Sequence, residues 1–247
     1  MKRLAAVLII SFYAVAARPQ PPTLPFAGGE TLDFSLAWLS ISGGSARMTI
    51  GSDPADTSRL RITSIARSTS SFARIFKVRD EIVSTVSRDR FSTLHYEKHL
   101  NERGHTKNEL TDVDPATGIA TRKGKSIHVP TPVFDPLSLI YHLRTLDLTV
   151  GRTQRFTVLA DGKVYTLEAN VIRRETLKSD AGTFSCVVVE PKMAGGDIFR
   201  DEEGQLLIWY SDEARHLPVR IESKVKVGTI TANLRGVTAG VSDPEPR

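Results

Sequence analysis

The sequence predicts a mainly β protein, a large curved antiparallel sheet or open β-barrel with one central crossover helix. Three observations lead there. Apolar and polar residues alternate over most of the chain, as at Leu32, Phe34, Leu36 and Trp38, which is the period of a half-buried strand. Turn residues punctuate these runs at hairpin spacing, as at Asp161-Gly162. One stretch, residues 133–148, breaks the pattern with apolar side chains at three- and four-residue steps.

That stretch is the predicted helix. Asp135 is a good N-cap, because its carboxylate can accept the orphan N–H groups of the first turn. Pro136 follows at the first helical position, where its missing N–H costs nothing. Leu137, Ile140, Tyr141 and Leu143 or Arg144 then form one apolar face. A lone apolar helix in a β protein needs a sheet to cover. It is read as a crossover that closes one mouth of the curved sheet and joins two β halves.

An export signal is expected at the start of the chain. Lys2 and Arg3 form a short basic region, and residues 4–15 are an apolar run of signal-peptide length. Ala14-Val15-Ala16 supplies the small-x-small cleavage pattern, so residues 1–16 are the expected signal peptide. The run falls short of the roughly 20 residues needed to span a bilayer. Residues 17–27 read as a Pro-rich arm, residues 28–238 as a single β domain and residues 239–247 as a frayed tail. About 230 residues with 40% hydrophobic content suffice for one core. No transmembrane span is expected after signal removal, and the expected location is the periplasm or the extracellular space.

The lone Cys186 excludes an intrachain disulfide and lies too deep in the chain to carry an N-terminal lipid. Net charge is +5, and losing Lys2 and Arg3 leaves +3. The basic residues are scattered at alternate strand positions, as at Arg59 and Arg61 or Lys224 and Lys226, which is the pattern of a solvated sheet face. An exported chain without an aromatic-basic motif is not expected to bind nucleic acid.

The strands follow in order. Residues 30–41 make the first, Gly43-Gly44 the expected hairpin turn, and Ala46, Met48 and Ile50 the return. Residues 59–67 and 78–87 alternate, with a short helical turn expected within 70–76. Residues 94–103 and 106–113 form a hairpin about Gly104, and residues 119–123 and 126–129 end at Pro130 and Pro132. After the helix come residues 154–160, 163–176, 184–190, 204–211, 218–227 and 229–237, with a loop at Gly195-Gly196. About a dozen strands in sequential hairpins favour a meander, and a sheet this large curls.

Several pieces recur together in order. Gly29-Glu30 opens a strand carrying Trp38, then come Asp80 and Asp135-Pro136-Leu137-Ser138 with Arg144. Glu175 and Gly182 follow, then Trp209-Tyr210-Ser211-Asp212, Pro218-Val219 and Gly228. With these the chain resembles the bacterial domain-of-unknown-function 3108 family over roughly residues 28–237. The resemblance implies an exported protein and one domain, with no catalytic residues to carry over. The predicted shape also looks like the half-barrel lipoprotein carriers of the periplasm, where a curved sheet and helical lid hold acyl chains.

No catalytic motif stands out. Cys186, mid-strand in F-S-C-V-V-V-E, reads as a buried structural thiol. There is no G-x-S-x-G elbow, phosphate loop or dinucleotide fingerprint. His95 and His99 share a strand face but stand about 13 Å apart, too far for one ion. His105, His128, His142 and His216 read as structural or surface residues, and Asp112 to Gly118 as an ordinary turn rather than a calcium loop. No metal or cofactor is expected.

Three functions follow. The first is an envelope protein holding a lipid or other hydrophobic molecule in its concave face, with Trp38, Leu137, Ile140, Tyr141 and Trp209 as the ligand contacts. The second is a structural or assembly protein with a solid core and another envelope protein as partner. The third is a hydrolase using Asp212 or Glu213 with His216 or Arg144. A cavity separates the first from the second, and a polar cleft with paired carboxylates marks the third.

Overall fold

The computed structural model of the protein describes residues 24–26, 29–74, 77–102, 105–194, 204–225 and 227–239. The expected signal peptide, the turn at Gly104, the loop at Gly195-Gly196 and the last residues of the tail lie outside them. The strands are β1 (Glu30–Trp38), β2 (Ile41–Asp53), β3 (Asp56–Ser68), β4 (Arg79–Ser87), β5 (Thr93–Glu102), β6 (His105–Asp114), β7 (Ile119–Arg122) and β8 (Lys125–His128). The helix α1 (Pro136–Leu143) follows, then β9 (Thr153–Ala160), β10 (Lys163–Ser179), β11 (Gly182–Met193), β12 (Leu206–Ser211), β13 (Pro218–Lys224) and β14 (Thr229–Thr238).

All fourteen strands join one antiparallel sheet, in the order β8-β7-β6-β5-β4-β3-β2-β1-β14-β13-β12-β11-β10-β9. Every neighbouring pair but one is a sequential hairpin. The exception pairs the first strand with the last, so both chain ends lie mid-sheet and α1 links the two edge strands. The expected meander and crossover are both present. The crossover also covers the β9 edge, which would otherwise expose unpaired backbone groups, and ties to the start of β5. Thr93 N donates to Val133 O at 2.8 Å, Phe134 N to Thr157 O at 2.9 Å, and Leu159 N to Phe134 O at 2.8 Å. Asp161, beyond β9, accepts from Lys98 Nζ at 3.0 Å and lies 2.8 Å from Lys107 Nζ.

Turns alternate between two ends of this curled sheet. The hairpins β1–β2, β3–β4, β7–β8, β9–β10 and β13–β14 turn at one end, and β2–β3, β4–β5, β6–β7, β10–β11 and β12–β13 turn at the end that carries α1. The Asp161-Gly162 turn forms as expected, with both residues left-handed at φ 51° and 75°. The first turn does not. It is made by Leu39 and Ser40, at φ 50° and 65°, and Gly43-Gly44 lies inside β2. These glycines answer to close approach instead. A Cβ on Gly43 would stand 2.9 Å from the Phe72 ring, and one on Gly44 would stand 2.5 Å from Arg67 O. The expected helical turn is a 3-10 turn at Phe72–Arg74.

The helix is shorter than its apolar pattern and ends at Leu143. Thr145 Oγ1 donates to His142 O at 2.7 Å, capping a terminal carbonyl, and Leu146 and Leu148 pack from the following loop. It also buries more than one face. Leu137 and Tyr141 join a main core with Leu32, Phe34, Ile50 and Ile62, while Leu139 and Leu143 join a second core with Phe156, Val171, Val189 and Ile208. A helix apolar on several sides is an interior helix, not a lid. Phe26, from the Pro-rich arm, is buried in the main core beside Tyr141.

Both faces of β11 are buried. Val187 and Val189 face the second core, Cys186 and Val188 the main one. Cys186 is fully covered, and burial, with Glu175 adding to it, pushes its thiol up to about 11. It matches the structural thiol expected. Cys186→Ser should cost about 1–3 kcal/mol, since a buried hydroxyl replaces a thiol. In the native wild-type protein, labelling by a thiol reagent should be slow at neutral pH and accelerate on unfolding; rapid native labelling would contradict this burial.

Candidate functional site

Register decides which side chains face inward. Cross-strand partners share a face. From the core residues outward, four inward rows can be followed across β1 to β6. The row nearest α1 is Glu30, Ile50, Ile62, Ser84, Tyr96 and Thr111, all buried. Next come Leu32, Met48, Ser64, Ile82, Lys98 and Glu109, of which Ser64, Ile82 and Lys98 are partly exposed. The third row is Phe34, Ala46, Ala66 and Asp80, and the fourth is Leu36, Gly44 and Ser68. Apart from buried Phe34, both outer rows are only half-buried.

The other half shows the same gradient. Leu36 leads to Ala232, Ile221 and Ile208, and Trp38 to Ile230, Ser223 and Leu206. Of these, only Ile208 is buried. Large side chains therefore fill the α1 end, whereas Ala46, Ala66, Gly44, Ser68 and Ala232 line the turn end. Small residues on a curved inner wall leave space that larger ones would fill. This turn end of the inner face, lined by small and partly exposed residues, is the cup. Its polar wall is formed by Asp80 and by Lys98, which pairs with Glu109 at 3.1 Å. Burial pushes the Asp80 carboxyl up, against the opposing hydrogen bond from Asn101 N at 2.9 Å.

The five expected contact residues divide between cup and core. Trp38 stands at the mouth, its Nε1 donating to Val227 O at 2.8 Å. Ile140 is half-buried on the helix, and it borders both cores, as does Ile221 on the cup wall. Leu137 and Tyr141, 5% and 0% exposed, are packed in the main core. Trp209, 4% exposed, sits on the strand face opposite Ile208 and Tyr210, because neighbouring strand residues alternate. Its indole donates to Glu175, and Arg173 and Arg220 lie 5.9 and 5.7 Å from its ring centre. Residues that the sequence reading missed, chiefly Ala46, Ala66 and Ala232, line the cup.

The residues of the hydrolase reading are not assembled around a cleft. Asp212 is bound by Arg174 at 2.8 Å, and Glu213 accepts from Ser211 Oγ at 3.3 Å. His216 Nδ1 lies 3.1 Å from Arg144 O, and Arg144 itself binds Glu30. At the α1 end an open groove of about 820 Å³ is lined by Asp56, Arg59, Asp89, Asp112 and Asp114. Its four carboxylates already have partners: Asp56 binds Ser58, Asp89 Arg90, Asp112 His95, and Asp114 Thr117.

The filled α1 end, the more exposed turn end and the continuous curled sheet define a β-barrel-like protein. The chain belongs to the DUF3108 family, proteins of unknown function, which it matches over residues 31–235. No curated protein matches it. Its fold is similar to a β-barrel-like DUF1849 protein from Brucella abortus. That protein shares 10% identity at a TM-score of 0.59, over 87% of this chain and 99% of that one. More distant is a Bacteroides fragilis protein described as exported with a YmcC-like fold, at 11% identity and a TM-score of 0.38, over 87% of this chain and 98% of that one. A Parabacteroides distasonis protein described as a lipoprotein is at 14% identity and a TM-score of 0.37, over 89% of this chain and all (100%) of that one. Among the described residues no helix is long and apolar enough to cross a membrane.

Proposed function

We propose that this is an exported protein of the bacterial envelope that holds a lipid or another hydrophobic molecule in the cup. The observation that carries the reading is the inward face itself. Its side chains shrink and become half-exposed from the helix end to the turn end, while remaining mostly apolar. An apolar wall in contact with water is costly at about 25 cal/mol per Å², so an occupant with an acyl or similar apolar body would be favoured there. The basic start and Ala14-Val15-Ala16 of the signal sequence support export, with the mature chain beginning near Ala17. The core filled by Leu137 and Tyr141 favours a second reading, a solid envelope scaffold.

Organic extraction and mass spectrometry of natively purified protein separate the two. The carrier reading expects a stoichiometric amphiphile. Ala66→Phe should remove most of it, because the ring would occupy the cup, and should change stability by no more than about 1 kcal/mol at this half-buried site. Wild-type protein free of lipid, or undiminished lipid in a folded Ala66→Phe variant, would overturn the carrier reading.

A further inference from the structure

We propose that the hairpin rim around the cup mouth docks onto an anionic phospholipid bilayer. Docking stands on the rim alone; passage of a lipid between bilayer and cup rests on the function proposed above. Eight large hydrophobic residues are exposed among the described residues, and four of them belong to the adjacent hairpins β1–β2 and β13–β14. These are Leu39 at 50%, Ile41 at 61%, Val227 at 62% and Ile230 at 41% exposure.

They form one patch. Trp38 pairs with Ile41 on one side and Ile230 on the other. Leu39 lies over Gly228, where a Cβ would stand 2.1 Å from Leu39 Cδ2. The Phe72 ring meets the Trp38 indole edge-on at 6.4 Å. The turn that lifts Leu39 into solvent has a left-handed backbone, φ 50°, where Asn, Asp or Gly would sit with less strain. Turn geometry therefore gives no reason for a leucine here, and burial in another medium does.

Charge names that medium. Arg67, Arg74, Lys77 and Arg79 on the neighbouring β3–β4 hairpin and Lys224 at the end of β13 flank the patch in the sheet order, and among the described residues none forms an ion pair. The nearest carboxylates along the same strands, Asp80, Glu81 and Glu222, lie farther from the rim. At the α1 end Asp53, Asp56, Asp89, Asp114, Asp180 and Asp212 mark the turns beside Arg88, Arg90 and Arg215, whereas the rim-end acidic residues Glu102 and Asp161 stand on hairpins away from the patch, Asp161 held by Lys98 and Lys107. Apolar tips that can enter the acyl boundary, flanked by cations at headgroup level, match an anionic lipid surface. Trp38 and Ile230 belong to the rim and to the inward face, so the patch continues into the cup.

The test is co-sedimentation of the full protein with phosphatidylcholine vesicles, with and without phosphatidylglycerol. Wild type should bind the phosphatidylglycerol vesicles, more weakly as salt screens the cations. Leu39→Asp with Val227→Asp should weaken that binding by about tenfold or more, with an unchanged Tm because both sites are exposed and Asp suits the turn at 39. Failure of wild type to bind phosphatidylglycerol vesicles, or equal binding by the folded double variant, would overturn the proposal, even if lipid co-purifies. Rim-dependent vesicle binding by protein that carries no lipid would support docking and defeat the cup reading alone.

Discussion

Arg144→Ala is expected to destabilise the protein by about 3–5 kcal/mol. Arg144 is fully buried at the C-cap of α1, and Glu30, also fully buried, opens β1. Its guanidinium donates to both Glu30 oxygens, at 2.6 and 3.1 Å, and again to Arg215 O at 3.2 Å. Its flat faces lie 4.9 Å from the Phe26 ring centre and 5.2 Å from that of Tyr141. One side chain thus ties the first strand, the helix and the β12–β13 turn. Removing it leaves the Glu30 charge buried with only Arg215, 2.8 Å away, to offset it. Arg144→Lys should recover little, because an ammonium cannot reproduce the two-pronged contact or the stacking. The joint variant Glu30→Gln with Arg144→Met should be more stable than Arg144→Ala, since no buried charge is stranded. Urea unfolding of the three variants is the measurement; Arg144→Ala within 1 kcal/mol of wild type would contradict the role of the pair.

What was legible in the sequence was local. Asp135-Pro136 marked the helix start because a cap acts over three residues, and Asp161-Gly162 marked its turn for the same reason. Ser138 was missed as the other half of the capping box, because Glu or Gln usually fills that place. Gly43-Gly44 was misread because a glycine that admits a neighbour looks the same in sequence as one that turns. The Glu30–Arg144 pair spans 114 residues and left no local pattern. The cup was half-legible. Trp38 and Ile140 are large enough to notice, whereas Ala46, Ala66 and Ala232 become significant only when register sets them on one wall. Trp209 was drawn to the cup by its size, but its place was settled by a parity that depends on Ile208 facing inward.

Asp135→Ala is expected to cost about 3–4 kcal/mol, more than the roughly 1 kcal/mol of an ordinary exposed cap. The carboxylate is fully buried. One oxygen accepts from Leu137 N and Ser138 N, both at 2.9 Å, and the other from Ser84 Oγ at 2.5 Å and Thr93 Oγ1 at 2.8 Å. Alanine would strand two backbone donors and leave two strand hydroxyls short of a partner, detaching the helix start from β4 and β5. Asp135→Asn should stay within about 1 kcal/mol of wild type, since its amide can accept from the helix and donate to the hydroxyls. The pair also reports pH dependence. Burial pushes the Asp135 carboxyl up, and the hydrogen bonds from Ser84, Ser138 and Thr93 only partly oppose it. A carboxyl with a raised folded-state value favours the folded protein below its unfolded value near 3.9, and loses that contribution as pH rises through the folded value. The stability of wild type minus that of Asp135→Asn should therefore fall as pH rises above about 4. A difference that stays flat, or grows, from pH 4 to 8 would show that the hydrogen bonds outweigh burial and that Asp135 is held as a carboxylate.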